Sequence, residues 1–233
     1  MKDFFYLDTL PKDETECSDA QVGHGDIEFT NVKFHYPNSE RVIFEHLNVT
    51  IKEGEKVAIL GENGSGKSTF ISLLCGMFEP EEGSIQINHL EVKEHTTKVR
   101  NSISAVLQDF GRYNDTLRNN INVSDISKAS SDEEIMDLAR KLNVSEVIER
   151  EKHGLGEQIG AFSAESNDLS GGQWQKIAIL RAAYKDKASI MILDEPTSAL
   201  DPLAEAQLYR DFSKLTKDRT TILDYRMYQA QAQ

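Results

Sequence analysis

Gly61-Glu62-Asn63-Gly64-Ser65-Gly66-Lys67-Ser68 is the stretch on which the fold turns. These residues match G-x-x-x-x-G-K-[ST], the pattern of a loop that cradles phosphates. Before them stands Lys56-Val57-Ala58-Ile59-Leu60, a short apolar run with the look of a buried parallel strand. After them, a helix is expected from Gly66 to about Met77. Strand, glycine loop and helix in that order are the context the pattern requires. Glycine reaches backbone angles that turn successive N–H groups inward, which makes an anion nest. The helix start adds unpaired N–H groups and a positive partial charge at the same spot. Gly61, Asn63, Gly64, Ser65, Gly66, Lys67, Ser68 and Thr69 are therefore expected to bind the phosphates of a nucleotide. Lys67 reaches the β- and γ-phosphates as a catalytic cation, and Ser68 is an expected Mg2+ ligand.

Two further stretches extend this chemistry. Ile190-Met191-Ile192-Leu193-Asp194-Glu195 is an apolar strand ending in two acids. A carboxylate at the end of such a strand, with a phosphate loop upstream, suits Mg2+, and Asp194 takes that part. Glu195 is the expected catalytic base that polarises the attacking water. Leu169-Ser170-Gly171-Gly172-Gln173 opens a helix from Trp174 to Tyr184. Ser170 with two glycines at a helix start is a second anion-binding geometry. A plainer reading of Ser170, a good N-cap, stands beside it.

Outward from these stretches the pattern alternates between classes. Asp26–Tyr36 and Val42–Ile51 alternate apolar and polar residues, as half-buried antiparallel strands do, the first with a bulge. Ser84–Asn88 is another alternating strand, and Ile103–Leu107 an apolar one. From Gln108 to about Tyr184 the spacing is helical. Ile135, Leu138, Ala139 and Leu142 recur at three and four residues, and Ser131 with Glu134 forms a capping pair. Asp201–Leu215 is an expected helix and Thr220–Leu223 a last strand. The fold expected is α/β, with a mixed-sheet core, an antiparallel β part and an inserted helical subdomain at about 109–184.

Composition narrows the partners. The chain has 233 residues, enough for one large domain with its own core. Its formal net charge of -13 repels phosphate backbones, so nucleic acid is not an expected partner. Cys17 and Cys75 stand far apart, with no Cys-x-x-Cys or Cys/His cluster to suggest zinc or a disulfide framework. Cys75 follows Phe70, Ile71, Leu73 and Leu74 and reads as a buried thiol. No apolar run approaches the ~20 residues that cross a bilayer. Residues 1–24 read as a linker or arm, and about 224–233 as a tail.

Taken together, the phosphate loop at 61–68, Leu-Ser-Gly-Gly-Gln at 169–173 and the acidic strand at 190–195 resemble the nucleotide-binding domain of an ABC transporter. The five-residue signature is highly specific to that family, and the resemblance covers about residues 25 to 223. It implies a P-loop NTPase (RecA-like) fold and Mg-ATP as the cofactor. Tyr36 falls where the family's aromatic stacks on adenine, although Tyr36 alone would read as a strand aromatic. Gln108 matches the Q-loop glutamine, with catalytic and Mg2+-contacting roles. Ser198-Ala199-Leu200-Asp201 matches the D-loop, and Asp201 lies at the dimer interface. In this family two domains pack head to tail. The P-loop of one and Ser170, Gly171, Gly172 and Gln173 of the other enclose one ATP. The implied partners are a second such domain and the transmembrane domain of an exporter. Phe4-Phe5-Tyr6-Leu7-Asp8, and the stretch Tyr113 to Ile121, are similar to exporter sequences. The implied location is the cytoplasmic side of the cell membrane.

Two departures qualify that implication. The family carries a switch histidine after the last core strand, yet none of the 6 histidines lies after Asp194, and Arg226 occupies the place by counting. A guanidinium cannot act as a neutral acceptor. Two functions follow: an ATPase that powers export, or an ATP-gated dimerisation module with little hydrolysis. The second departure is Leu180 in Leu180-Arg181-Ala182-Ala183, where exporters carry a small residue and where added bulk would crowd helix packing.

Overall fold

A computed structural model describes residues 22–62, 64–128, 130–160, 168–194, 214 and 216–224. The first half of the chain runs β1 (Ile27–His35), β2 (Val42–Ile51), β3 (Lys56–Ile59), α1 (Lys67–Leu74), β4 (Glu82–Ile87), β5 (Leu90–Glu91), α2 (Thr96–Ser102) and β6 (Ile103–Val106). The second half runs β7 (Asp115–Thr116), α3 (Leu117–Asn122), α4 (Asp132–Lys141), α5 (Glu146–Glu149), β8 (Gln158–Ile159), α6 (Gly171–Tyr184), β9 (Ile190–Asp194) and β10 (Thr220–Asp224). These elements form two compact units. One holds residues 22–53 and 62–103; the other holds 54–61 and the described residues from 104 onward.

The first unit is built on an antiparallel sheet of order β2-β1-β4-β5. Along β1 the buried apolar residues switch parity, from Ile27 and Phe29 to Val32 and Phe34. A regular strand would turn the second pair to solvent. Asn31 resolves the conflict by taking the left-handed conformation, φ 51, where the register with β2 shifts between Phe29 and Val32. Asn48 Oδ1 accepts the Asn31 N–H at 2.8 Å and holds the bulge. The helix α1 packs on this sheet through Phe70, whose ring stacks on Phe29 with centroids 4.3 Å apart. It ends sooner than its apolar spacing predicts. Gly76, φ 63, turns the chain, and Met77 N–H donates back to Ser72 O at 2.9 Å.

The second unit is built on a sheet of order β3-β10-β9-β6, in which β10 runs parallel to both β3 and β9. Every residue of β9 is buried, as its continuous apolar run predicts. By contrast β3 is the edge strand of this sheet, and Lys56 and Ala58 are exposed. An edge strand is paired on one flank only, so the expectation of a fully buried strand at 56–60 is corrected. The region 108–184 is mostly helical but also contains the two-residue antiparallel pair β7–β8, too short to show as alternation. Its core gathers Leu117, Ile121, Ile135, Ala139, Leu142, Trp174, Ile177 and Tyr184. Leu180 lies fully buried in the same cluster. Ser131 caps α4, with both halves of the Ser131–Glu134 box formed. Cys75 is a free, buried thiol. The expected arm, the helix at 201–215 (apart from Lys214) and the tail beyond Asp224 lie outside the described residues, as does Cys17.

Candidate functional site

The glycine loop has the backbone that an anion nest needs. Gly64 and Gly66 take the left-handed conformation, with φ 79 and φ 100. Gly66 is also the N-cap residue of α1, and no side chain caps that helix. A Cβ at Gly66 would lie 3.0 Å from Ile43 and Phe44 side-chain atoms, so β2 closes the loop from behind. Gly61, Gly64, Ser65 and Ser68 are exposed, while Lys67 and Thr69 are buried. The Lys67 ammonium lies back along the loop, 3.4 Å from the Glu62 carbonyl oxygen. That arrangement fits a polyphosphate: helix N–H groups with no side-chain acceptor of their own, a cation folded back along the loop, and an exposed Ser68.

Tyr36 opens the turn that follows β1 and sits against the first turn of α1. Its hydroxyl shares a 2.9 Å hydrogen bond with Thr69 Oγ1. Phe34 and Phe78 meet its ring edge-on, each with centroids 5.2 Å away. These edge contacts fix the plane of a half-buried ring.

The start of α6 is built differently. Ser170 is the N-cap; its hydroxyl accepts the Gln173 N–H at 3.3 Å, and Gln173 Oε1 accepts the Ser170 N–H at 2.8 Å. The N-cap reading of Ser170 therefore holds, and the residue is exposed. Asp168 braces the turn before it. One carboxylate oxygen accepts the Leu169 N–H at 2.8 Å and the Trp174 indole N–H at 2.9 Å. Gly171 is exposed, and a Cβ there would meet nothing within 4 Å. Gly172 and Gln173 are half-buried.

Asp194 closes β9 as a buried carboxylate, in register with Asp224 at the end of β10. Gln108 stands exposed in the turn just after β6. Asn63, Glu195, Asp201 and Arg226 lie outside the described residues.

The sequence did not point to three of the side chains that organise these loops. Asp168 is one and Arg41 another. The third is Arg181, on α6, which reaches Asn120 O at 2.6 Å and Gly111 O at 2.9 Å and lies 5.0 Å over the Tyr113 ring. It ties the signature helix to the segment after Gln108. Its burial pushes the guanidinium below its ordinary pKa, with Tyr113 opposing the shift. The cue available was an arginine on an otherwise apolar helix face.

Comparison with known proteins gives the family. The model of the ABC transporter family matches residues 44–198. The subtilin transport ATP-binding protein SpaT of Bacillus subtilis is 42% identical over 195 residues, covering 83% of this chain and 32% of that protein. The nisin transport ATP-binding protein NisT of Lactococcus lactis subsp. lactis is 36% identical over 211 residues, covering 90% and 35%. A bacterial Atm1-family ABC exporter solved with ATP bound is similar at TM-score 0.79 and 30% identity, over 94% of this chain and 38% of that one. The chain thus spans about a third of the length of these relatives. It has the P-loop NTPase fold that its glycine loop predicts. With that family model matched over residues 44–198, a span that holds the glycine loop, the signature helix and the acidic strand, the chain belongs to the ABC transporter family.

Proposed function

We propose that this chain binds Mg-ATP and hydrolyses it in a head-to-tail dimer, and that the cycle drives export by a transmembrane domain. The observation that carries this reading is the loop at 61–68, with two left-handed glycines, an uncapped helix start and a lysine folded over it. Ser68, Gln108 and Asp194 would hold Mg2+, which would supply charge neutralisation at the phosphates. Lys67 binds the β- and γ-phosphates, and Tyr36 stacks on the adenine, a contact worth ~1–3 kcal/mol for aromatic–base pairs. Glu195 accepts the proton of the attacking water. Ser170, Gly171, Gly172 and Gln173 of one copy face the phosphates held by the other, and Asp201 lies between the copies. ATP then holds the pair together by mass action, and hydrolysis releases it.

Among the described residues no helix is long and apolar enough to cross a membrane. The membrane partner is therefore assigned from the relatives, whose names describe transport, and the location from it is the cytoplasmic face. The test is ATP turnover against protein concentration. Specific activity that climbs with concentration and is abolished in Glu195→Gln supports the dimeric ATPase. Nucleotide binding without turnover, restored by Arg226→His, replaces it with a dimerisation module. Absence of any ATP binding removes both.

A further inference from the structure

Arg41 lies on the loop between β1 and β2, and its guanidinium sits over the glycine loop. Arg41 Nη2 donates to Gly64 O at 3.0 Å. The position of a Gly64 Cβ would be 3.8 Å from one terminal nitrogen and 4.0 Å from the other. The loop that carries Arg41 is itself fixed. Ser39 N–H donates to Tyr36 O at 3.0 Å, and Arg41 N–H donates to Ser39 Oγ at 3.2 Å. Its two ends therefore touch the loop and the helix it opens, Arg41 at Gly64 of the loop and Tyr36 at Thr69 of α1.

The remaining donors of Arg41 have no carboxylate among the described residues, and the residue is exposed. A guanidinium carries five donors in a planar fork and favours phosphate oxygens, which it can bind with two parallel bonds. In a chain with a formal net charge of -13, a cation held against a carbonyl and in no ion pair among the described residues has its remaining donors open to an anion. The anion that comes to this loop is the nucleotide.

We propose that Arg41 is a further binding residue for the triphosphate, gripping it from the Gly64 side while Lys67 grips it from the helix. This assignment rests on the nucleotide reading above. The rival role is purely positional: Arg41 braces the Gly64 carbonyl and never touches ligand. Salt dependence across the variants separates the two, because a contact between charges weakens with screening while a brace on a carbonyl does not.

Titration calorimetry with Mg-ATP is the measurement, on the full chain and on Arg41→Gln, Arg41→Ala, Arg41→Lys and Lys67→Ala. Arg41→Gln and Arg41→Ala should both bind about tenfold more weakly, in line with one charge-assisted hydrogen bond. Arg41→Lys should fall within about threefold of the unaltered chain. The gap should shrink at about 1 M salt, where screening acts within ~3 Å, while melting temperatures stay together. Arg41→Gln binding as tightly as the unaltered chain, with Lys67→Ala still defective, overturns this assignment alone. An unaltered chain that binds no better than Lys67→Ala overturns the nucleotide reading and this assignment with it.

Discussion

The two helix starts proposed to face nucleotide, those of α1 and α6, solve the same electrostatic problem in opposite ways. At α1 the cap is Gly66 in a left-handed conformation, with no side chain accepting from the helix. At α6 the cap is Ser170, and a reciprocal box with Gln173 already satisfies the local N–H groups. The first start is left open, so its donors gain most when an anion arrives. The second is closed by its own side chains, so it is stable alone and an approaching anion must share what the box already holds. The difference fits a cassette in which one end binds tightly and the other docks reversibly.

The largest expected effect comes from breaking the open end. Gly66→Ala forces a left-handed alanine, costing roughly 1–2 kcal/mol, and places a Cβ 3.0 Å from Ile43 and Phe44 atoms. With nest donors misaimed, each charge-assisted bond worth about 1.5–3 kcal/mol, Mg-ATP affinity should drop by about 100-fold or more by calorimetry. An affinity within a few-fold of the unaltered chain would mean that the loop conformation is not what binds.

Next comes the brace of the closed end. Asp168→Ala strands the buried Trp174 indole N–H, and an unsatisfied buried donor costs about 1–3 kcal/mol. Asp168→Asn keeps an acceptor oxygen and should lose less than half as much in chemical denaturation. Equal losses would show that charge, and not hydrogen-bond acceptance, holds the turn.

The sharpest comparison pairs two caps. Ser170 and Ser131 make the same box, at α6 and α4. Each serine-to-alanine change should remove ~1 kcal/mol, or about 2–4 °C in melting temperature for a chain of this size. Only Ser170→Ala should also suppress ATP-dependent dimerisation, followed by sedimentation in a Glu195→Gln background. If both or neither did so, Ser170 would be a cap and nothing more.

The smallest effect is expected at Gly171. A Cβ there meets nothing within 4 Å, so Gly171→Ala should leave stability unchanged or raise it by up to about 1 kcal/mol. If dimerisation is lost while thermal stability holds, the glycine is there for a ligand and not for the helix.

Much of this was legible in the sequence because it is local. The loop at 61–68, the box at Ser131 and the buried run of β9 each depend on residues within a few positions of one another. The bulge in β1 was legible too, since the parity switch between Phe29 and Val32 leaves no other way to bury both pairs. What stayed hidden depends on distant pairing. Arg181 meets partners 61 and 70 residues away, and Arg41 meets Gly64 across 23. Nor does an apolar run announce whether its strand is central or marginal. The run at 56–60 reads as buried, yet β3 takes the edge, where sheet order rather than composition sets exposure.

Trp174 is the only tryptophan in the chain. It is buried on the first turns of α6, with its indole tied to Asp168. Indole emission shifts to longer wavelength when the ring meets water, so the chain carries its own optical gauge at the signature helix. No dye and no engineered label are needed to test the proposed engagement of that end with a second copy. Since no other indole contributes background, a stopped-flow trace after mixing with nucleotide would time the event directly.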